Sequence, residues 1–329
     1  MKQKSSLLVS VVLGSFILFS PPTVSQAADQ YRLQATAGGV GGVWYSTMAS
    51  LVEVVMKANP DFQIKVVPGG GVGNPLKIAQ GTSDLGWSYP AFAKIAHDGG
   101  ELYGNKRYED LRGIANGFSA GAFEFTVLES SGISSLDEIF KNKMPITWLT
   151  GTKTSSTGFF FDMLAKYYGY TTKDIESWGG KVIYAAYGDW EQMAKDGHVS
   201  AMFNHIAPPS PQVQEIVISR KLKVLPLPEG LRKYFVEQFS CEETVIPAGT
   251  YAFLKDDVRT VEMASAIYVN KKVPEEAVYQ FLMAIDKHID EVKNIHPTWE
   301  SFKIETSHKS LGAPLHAGAE RFYKERHYK

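Results

Sequence analysis

The chain has 329 residues, 34 of them Lys or Arg and 35 Asp or Glu, with 44% hydrophobic residues and a single cysteine, Cys241. That balance holds no basic stripe for a nucleic-acid partner, and one cysteine excludes an internal disulfide. Length and apolar content fit a globular chain of two lobes whose core needs no covalent staple.

At the start, Lys2 and Lys4 precede an apolar run at 7–19 and the small residues Ser25-Gln-Ala27. This is the pattern of a secretory signal peptide, residues 1–27, and the run is too short to cross a bilayer. No cysteine follows it, so a lipid-anchored start is not expected. The expected mature protein is periplasmic and soluble, with a net charge of about −3 once the two lysines are gone.

A strand expected at 31–37 runs into Gly38-Gly-Val-Gly-Gly42, which opens onto an amphipathic helix at 43–57. Glycines let the backbone approach a ligand, and the first helical N–H groups lack internal partners. Together they suit a carboxylate or another small anion. The same residues also make an ordinary tight turn with no ligand. Two nucleotide readings fail. Trp44 stands at the third glycine position of G-x-G-x-x-G, and no Lys follows Gly41 or Gly42 as in a phosphate loop. After a strand at 63–67, a second glycine turn, 69–73, precedes a helix at 74–80. A short strand at 84–88 and a helix at 90–97 with Pro90 in its first turn come next.

Strands are expected at 111–116 and 124–128, and Ser135 with Glu138 forms a capping box. The opening pattern then repeats: a strand at 145–149, the segment Thr150-Gly-Thr-Lys-Thr-Ser-Ser-Thr-Gly158, and a helix at 159–168. Strand, helix, strand, helix and strand follow at 182–185, 189–195, 199–203, 210–219 and 223–225. A β-prone run at 263–269 and helices at 274–288 and 317–326 complete the chain. This alternation predicts an α/β fold, with two helix N-termini aimed at a shared cleft. Lobe 1 is expected at 28–120 plus 260–329 and lobe 2 at 121–259, joined by strands crossing near 118–126 and 260–267.

A hydrolase reading would set Ser155 or Ser156 against His198 or His205, but no G-x-S-x-G elbow accompanies them. The eight histidines show no H-E-x-x-H or close pairing, so no metal is expected.

Four stretches resemble the TAXI-type solute receptors of tripartite ATP-independent periplasmic (TRAP) transporters. They are Thr36-Ala-Gly-Gly-Val-Gly-Gly-Val-Trp-Tyr45, the second glycine turn through Gln80-Gly-Thr-Ser-Asp-Leu85, Gly151-Thr-Lys-Thr-Ser-Ser-Thr-Gly158, and His316-Ala-Gly-Ala-Glu-Arg-Phe-Tyr-Lys-Glu325. They cover most of the mature chain in the family's order. Ala37, Thr154 and Ser156 stand where the family more often has glycine, and Trp44 where it commonly has Tyr. The resemblance implies a type II-like, two-lobed periplasmic binding protein without cofactor or catalysis. It would pass a small carboxylate, such as an amino acid, dicarboxylate or 2-oxo acid, to a TRAP permease. A periplasmic sensor for a membrane signalling protein would use the same fold.

The expected ligand-binding residues are Gly39, Val40, Gly41, Gly42, Trp44 and Tyr45 from the first turn, and Gly71, Val72 and Asn74 from the second. Ser88, Tyr89 and Asn204 join them from strand ends, where open α/β sheets expose ligand contacts. Thr154, Ser155, Ser156, Thr157 and Gly158 complete the set, although hydroxyl residues there also serve as plain helix caps. Trp44 and Tyr45 have core packing as their alternative. Lys153 is either solvated or placed for a second carboxylate. His205, like Asn204, follows a strand end and reads either as a ligand contact or, by slight preference, as a hydrogen-bonded loop residue; Asp84 reads as a turn acid, and His316 with Arg321 as docking the last helix.

Overall fold

The structure is a computed structural model describing residues 31–196 and 199–329. The expected signal peptide and His198 lie outside the described residues. Along the chain run β1 (Tyr31–Thr36), α1 (Val43–Ala58), β2 (Phe62–Val67), α2 (Asn74–Ala79), β3 (Leu85–Ser88), α3 (Pro90–Asp98) and β4 (Leu111–Leu128). Then come α4 (Leu136–Lys141), β5 (Thr147–Gly151), α5 (Ser156–Tyr167), α6 (Thr172–Ser177), β6 (Lys181–Ala185), α7 (Trp190–Lys195) and β7 (Ala201–Ile206). The remainder holds α8 (Pro211–Val217), β8 (Leu222–Leu225), α9 (Glu229–Phe239), β9 (Glu242–Ile246), β10 (Val258–Asn270), α10 (Glu275–Lys287), α11 (Ile289–Lys293) and α12 (Ala317–Glu325).

The ten strands of the described residues form one mixed sheet that contains the same design twice. In the first half the order is β2-β1-β3-β10-β4, with β1, β2 and β3 parallel and β10 inserted antiparallel. In the second it is β6-β5-β7-β4-β8, with β4 as the inserted antiparallel strand. Strand β4 therefore closes one half and threads the other. This corrects the sequence reading, which split it at 116 and 124. Asn116 and Gly117 resemble a turn in sequence, and Gly117 does take a positive φ of 93°. The pairing of β4 with β10 absorbs it through register shifts around Ser265, and the strand continues. Helices α6 and α9 and edge strand β9 had no counterpart in the sequence reading.

Each half has its own apolar core. In the first, α1 buries Met48, Leu51, Val52 and Val55 at helical spacing against the sheet. Trp87, Phe118 and Trp299 pack beside them with ring centroids 5.0–5.8 Å apart. In the second, Phe123, Trp148, Phe160, Phe161 and Phe235 are buried together. Each such ring contributes roughly 1.5–3 kcal/mol by leaving water. The three structural readings hold. The Asp84 carboxylate accepts the Gln34 N–H at 2.7 Å, tying β1 to the turn before β3. His316 caps α12 through the Gly318 N–H. Arg321 pairs with Glu276 and Glu325 and covers the Tyr279 ring, fixing α12 on α10.

Candidate ligand site

The two glycine turns of the first half and the hydroxyl-rich turn of the second meet around one small cavity of about 40 Å³. From the first half come Gly38, Gly39, Gly42, Val43 and Trp44 at the start of α1, then Gly70, Gly71 and Tyr89. Ser155, Ser156, Tyr187, His205 and Ile206 line it from the second. Helices α1 and α5 both begin at this cavity, so the unbonded N–H groups of two first turns and the positive ends of two dipoles converge there.

The two starts are built differently. Gly42 occupies the N-cap of α1 with no side-chain bond, leaving that turn open. Ser155 caps α5 by accepting the Gly158 N–H at 3.1 Å while its hydroxyl donates to the Thr152 carbonyl. The halves are in contact. Gln212 Nε2 donates to the Gly41 carbonyl at 3.0 Å. Gly70 lies so close to the α5 turn that a Cβ there would stand 2.7 Å from the Thr154 carbonyl oxygen.

The walls are aromatic and uncharged. Trp44 lies 4.6 Å from Tyr89, and Tyr89 lies 4.8 Å from His205, centroid to centroid. Burial holds the Tyr89 hydroxyl far above its usual range and pushes Tyr187 up to about 12. Burial also pushes His205 down to about 3, so its ring is neutral. His205 is 3% exposed, and neither ring nitrogen has a hydrogen-bond partner of sound geometry among the described residues.

Of the expected site residues, Gly39, Gly42, Trp44, Gly71, Tyr89, Ser155 and Ser156 line the cavity. The others lie outside its lining, mostly as supports. Val40 is 59% exposed at the turn's tip, and Gly41 supplies the positive φ of that turn. Tyr45 packs on the first core and Val72 on the second. Asn74 uses all its bonding capacity on Thr36, Gly70, Ala37 and Trp87. Ser88 bonds the Gly71 carbonyl. Thr154 is exposed. Thr157 ties Tyr187 to the His205 carbonyl, and the Gly158 N–H is taken by the cap. Asn204 turns to Ser210. Lys153 is exposed over the Tyr184 ring.

His205 follows the strand-end alternative instead of the loop reading: it lies within β7 and lines the cavity, its ring nitrogens lacking a partner of sound geometry among the described residues, with the Gly121 backbone beside Nε2. Gly38, Val43, Gly70, Tyr187 and Ile206 were missed. Tyr187 follows β6, so the strand-end rule that picked Tyr89 would have found it. The serines make no nucleophile–base pair with His205, whose ring nitrogens bond no hydroxyl.

Behind the cavity runs a buried polar chain. Tyr251 donates to Glu124 Oε1 at 2.5 Å and accepts the Ser210 N–H at 2.7 Å. Ser210 in turn bonds Asn204 and Gln212, the residue that reaches Gly41. Burial pushes Glu124 up to about 7, and its Oε2 has no partner among the described residues.

Paired half-sheets with an inserted antiparallel strand, closing on a cavity at two helix N-termini, define the α/β fold of periplasmic binding proteins. Solved structures share it. MatC from Rhodopseudomonas palustris, with bound malate, aligns with a TM-score of 0.56 at 11% identity, covering 89% of this chain and 97% of that one. The periplasmic binding protein BugD aligns at 0.52 and 13% identity, covering 91% and 93%. By sequence, the chain belongs to the NMT1-like family, whose model matches residues 35–326.

Proposed function

We propose that this protein is an extracytoplasmic solute receptor of the TAXI type that captures a small carboxylate and delivers it to a TRAP permease. The observation that carries this reading is the convergence of two helix N-termini, one from each half, on a single cavity. A carboxylate there contacts both halves only when they are together, so binding shifts the population toward the closed form. The halves, 28–120 with 260–329 and 121–259, rotate about the crossing segments of β4 and β10. Taking the equilibrium from mostly open to mostly closed requires a preference of about 5.5 kcal/mol for the closed state. A few charge-assisted hydrogen bonds of about 1.5–3 kcal/mol each supply it.

Among the described residues the cavity holds no arranged nucleophile, which favours capture without chemistry. A thermal-shift screen of the protein, refolded free of carried-over ligand, checks the reading. One class of carboxylate is expected to raise the melting temperature saturably. A response to sugars or peptides but to no carboxylate sinks it.

A further inference from the structure

Resting on the carboxylate-receptor reading, we propose that the cavity selects a monocarboxylate whose second polar group is uncharged, a 2-oxo or 2-hydroxy acid with an apolar side chain. His205 is the residue that reads that second group.

Three observations lead there. First, among the described residues the lining contains no Lys, Arg, Asp or Glu. The acid near Tyr187, Glu124, lies outside the lining with one oxygen bonded to Tyr251. The cation of the α5 turn, Lys153, is exposed over Tyr184. An ammonium or a second carboxylate in this cavity would be desolvated without a charged partner, which is strongly unfavourable. Second, the two helix starts supply donors for one anionic group. Third, among the described residues His205 is the residue of this lining whose buried ring nitrogens lack a hydrogen-bond partner of sound geometry; Nε2 lies against the Gly121 backbone, which leaves Nδ1 as the open group, between aromatic rings. A neutral imidazole carries its proton on either nitrogen, so Nδ1 donates to a keto oxygen in one tautomer and accepts from a hydroxyl in the other. Trp44, Tyr89 and Ile206 supply the apolar wall for the rest of the ligand.

The test is titration calorimetry of the refolded full chain with five compounds of related skeleton: 4-methyl-2-oxopentanoate, 2-hydroxy-4-methylpentanoate, 4-methylpentanoate, leucine and 2-oxoglutarate. The oxo or hydroxy acid is expected to bind at least about 10-fold tighter than 4-methylpentanoate, and about 100-fold tighter than leucine or 2-oxoglutarate. In His205→Phe the preference over 4-methylpentanoate disappears, and His205→Gln restores part of it. Leucine or 2-oxoglutarate binding as tightly as the oxo acid overturns this selectivity and leaves the receptor reading standing. Equal binding of the oxo acid and 4-methylpentanoate by the unaltered protein overturns the role of His205 even if the variants do not fold. No binding by any of the five overturns both the selectivity and the carboxylate reading.

Discussion

The turns that open α1 and α5 face the same cavity from opposite halves, yet they reach it by different chemistry. The first is all backbone: the stretch 38–42 brings main-chain N–H groups to the site with no side-chain cap, although the Gly42 N–H is taken by the Gly39 carbonyl. The second is built from hydroxyls, with Ser155 spent on its own helix and Thr157 on Tyr187 and His205. A glycine turn tolerates little at close approach, whereas a hydroxyl turn stores its order in replaceable hydrogen bonds. The two sides of one site should therefore fail in different ways.

The largest expected effect comes from filling the space between them. Gly70→Val places side-chain atoms against the Thr154 carbonyl and the Ser155 backbone, and should cost at least about 100-fold in affinity by opposing closure. Calorimetry with the cognate acid, alongside circular dichroism showing an unaltered fold, tests this. Unchanged affinity would mean that the bound form does not bring these turns together.

Next is the polar chain that links β4 to Gly41. Burial raises the Glu124 pKa from 4.5 to about 7, so across that interval the unfolded chain releases a proton that the folded one keeps. Stability from this group is intact below pH 4.5 and falls as pH rises to 7, by about 3 kcal/mol in all. His205 has the opposite sign. Its folded pKa lies near 3 against 6.5, so stability falls as pH drops through that window. The two slopes nearly cancel between about pH 4.5 and 6.5. Glu124→Gln should add about 3 kcal/mol at pH 8 and little at pH 4, read by urea melts at both values. An equal change at both pH values would remove Glu124 as the source.

Much of this was legible in sequence, and the limits have physical reasons. Strand, glycine turn and helix have distinct periodicities, so both halves of the repeat and the cavity residues Gly39, Gly42, Trp44, Tyr89, Ser155 and Ser156 could be read locally. What could not be read was division of labour inside a turn. Asn74 and Thr157 have the right chemistry for a ligand, but their bonds close on the protein itself. His205 shows the reverse. A histidine at a strand end reads equally as a ligand contact or a satisfied loop residue, and only the packing of Tyr89, Phe123 and Phe160 around it, with the Gly121 backbone beside Nε2 and no partner of sound geometry, decides between them.

The smallest expected effect sharpens the same contrast. Ser155→Ala removes the α5 cap and should cost about 1 kcal/mol of stability, with Ser155→Gly costing only a few tenths. Thermal melts of the two variants measure the difference. A loss of several kcal/mol would mean that the hydroxyl turn supports more than its own helix.

Because β10 completes the first half of the sheet, the order of synthesis matters. Strands β1, β2 and β3 are made within the first hundred residues, yet the strand they need, Val258–Asn270, comes near the end of the chain. Strand β4, made in between, has Ala122 to Leu128 engaged with β7 and β8. The half that is translated first is thus the one that closes last. A growing chain must keep β3 unpaired along its β10-facing edge until almost all of the protein exists, which makes that edge the place where a truncated or stalled chain would aggregate.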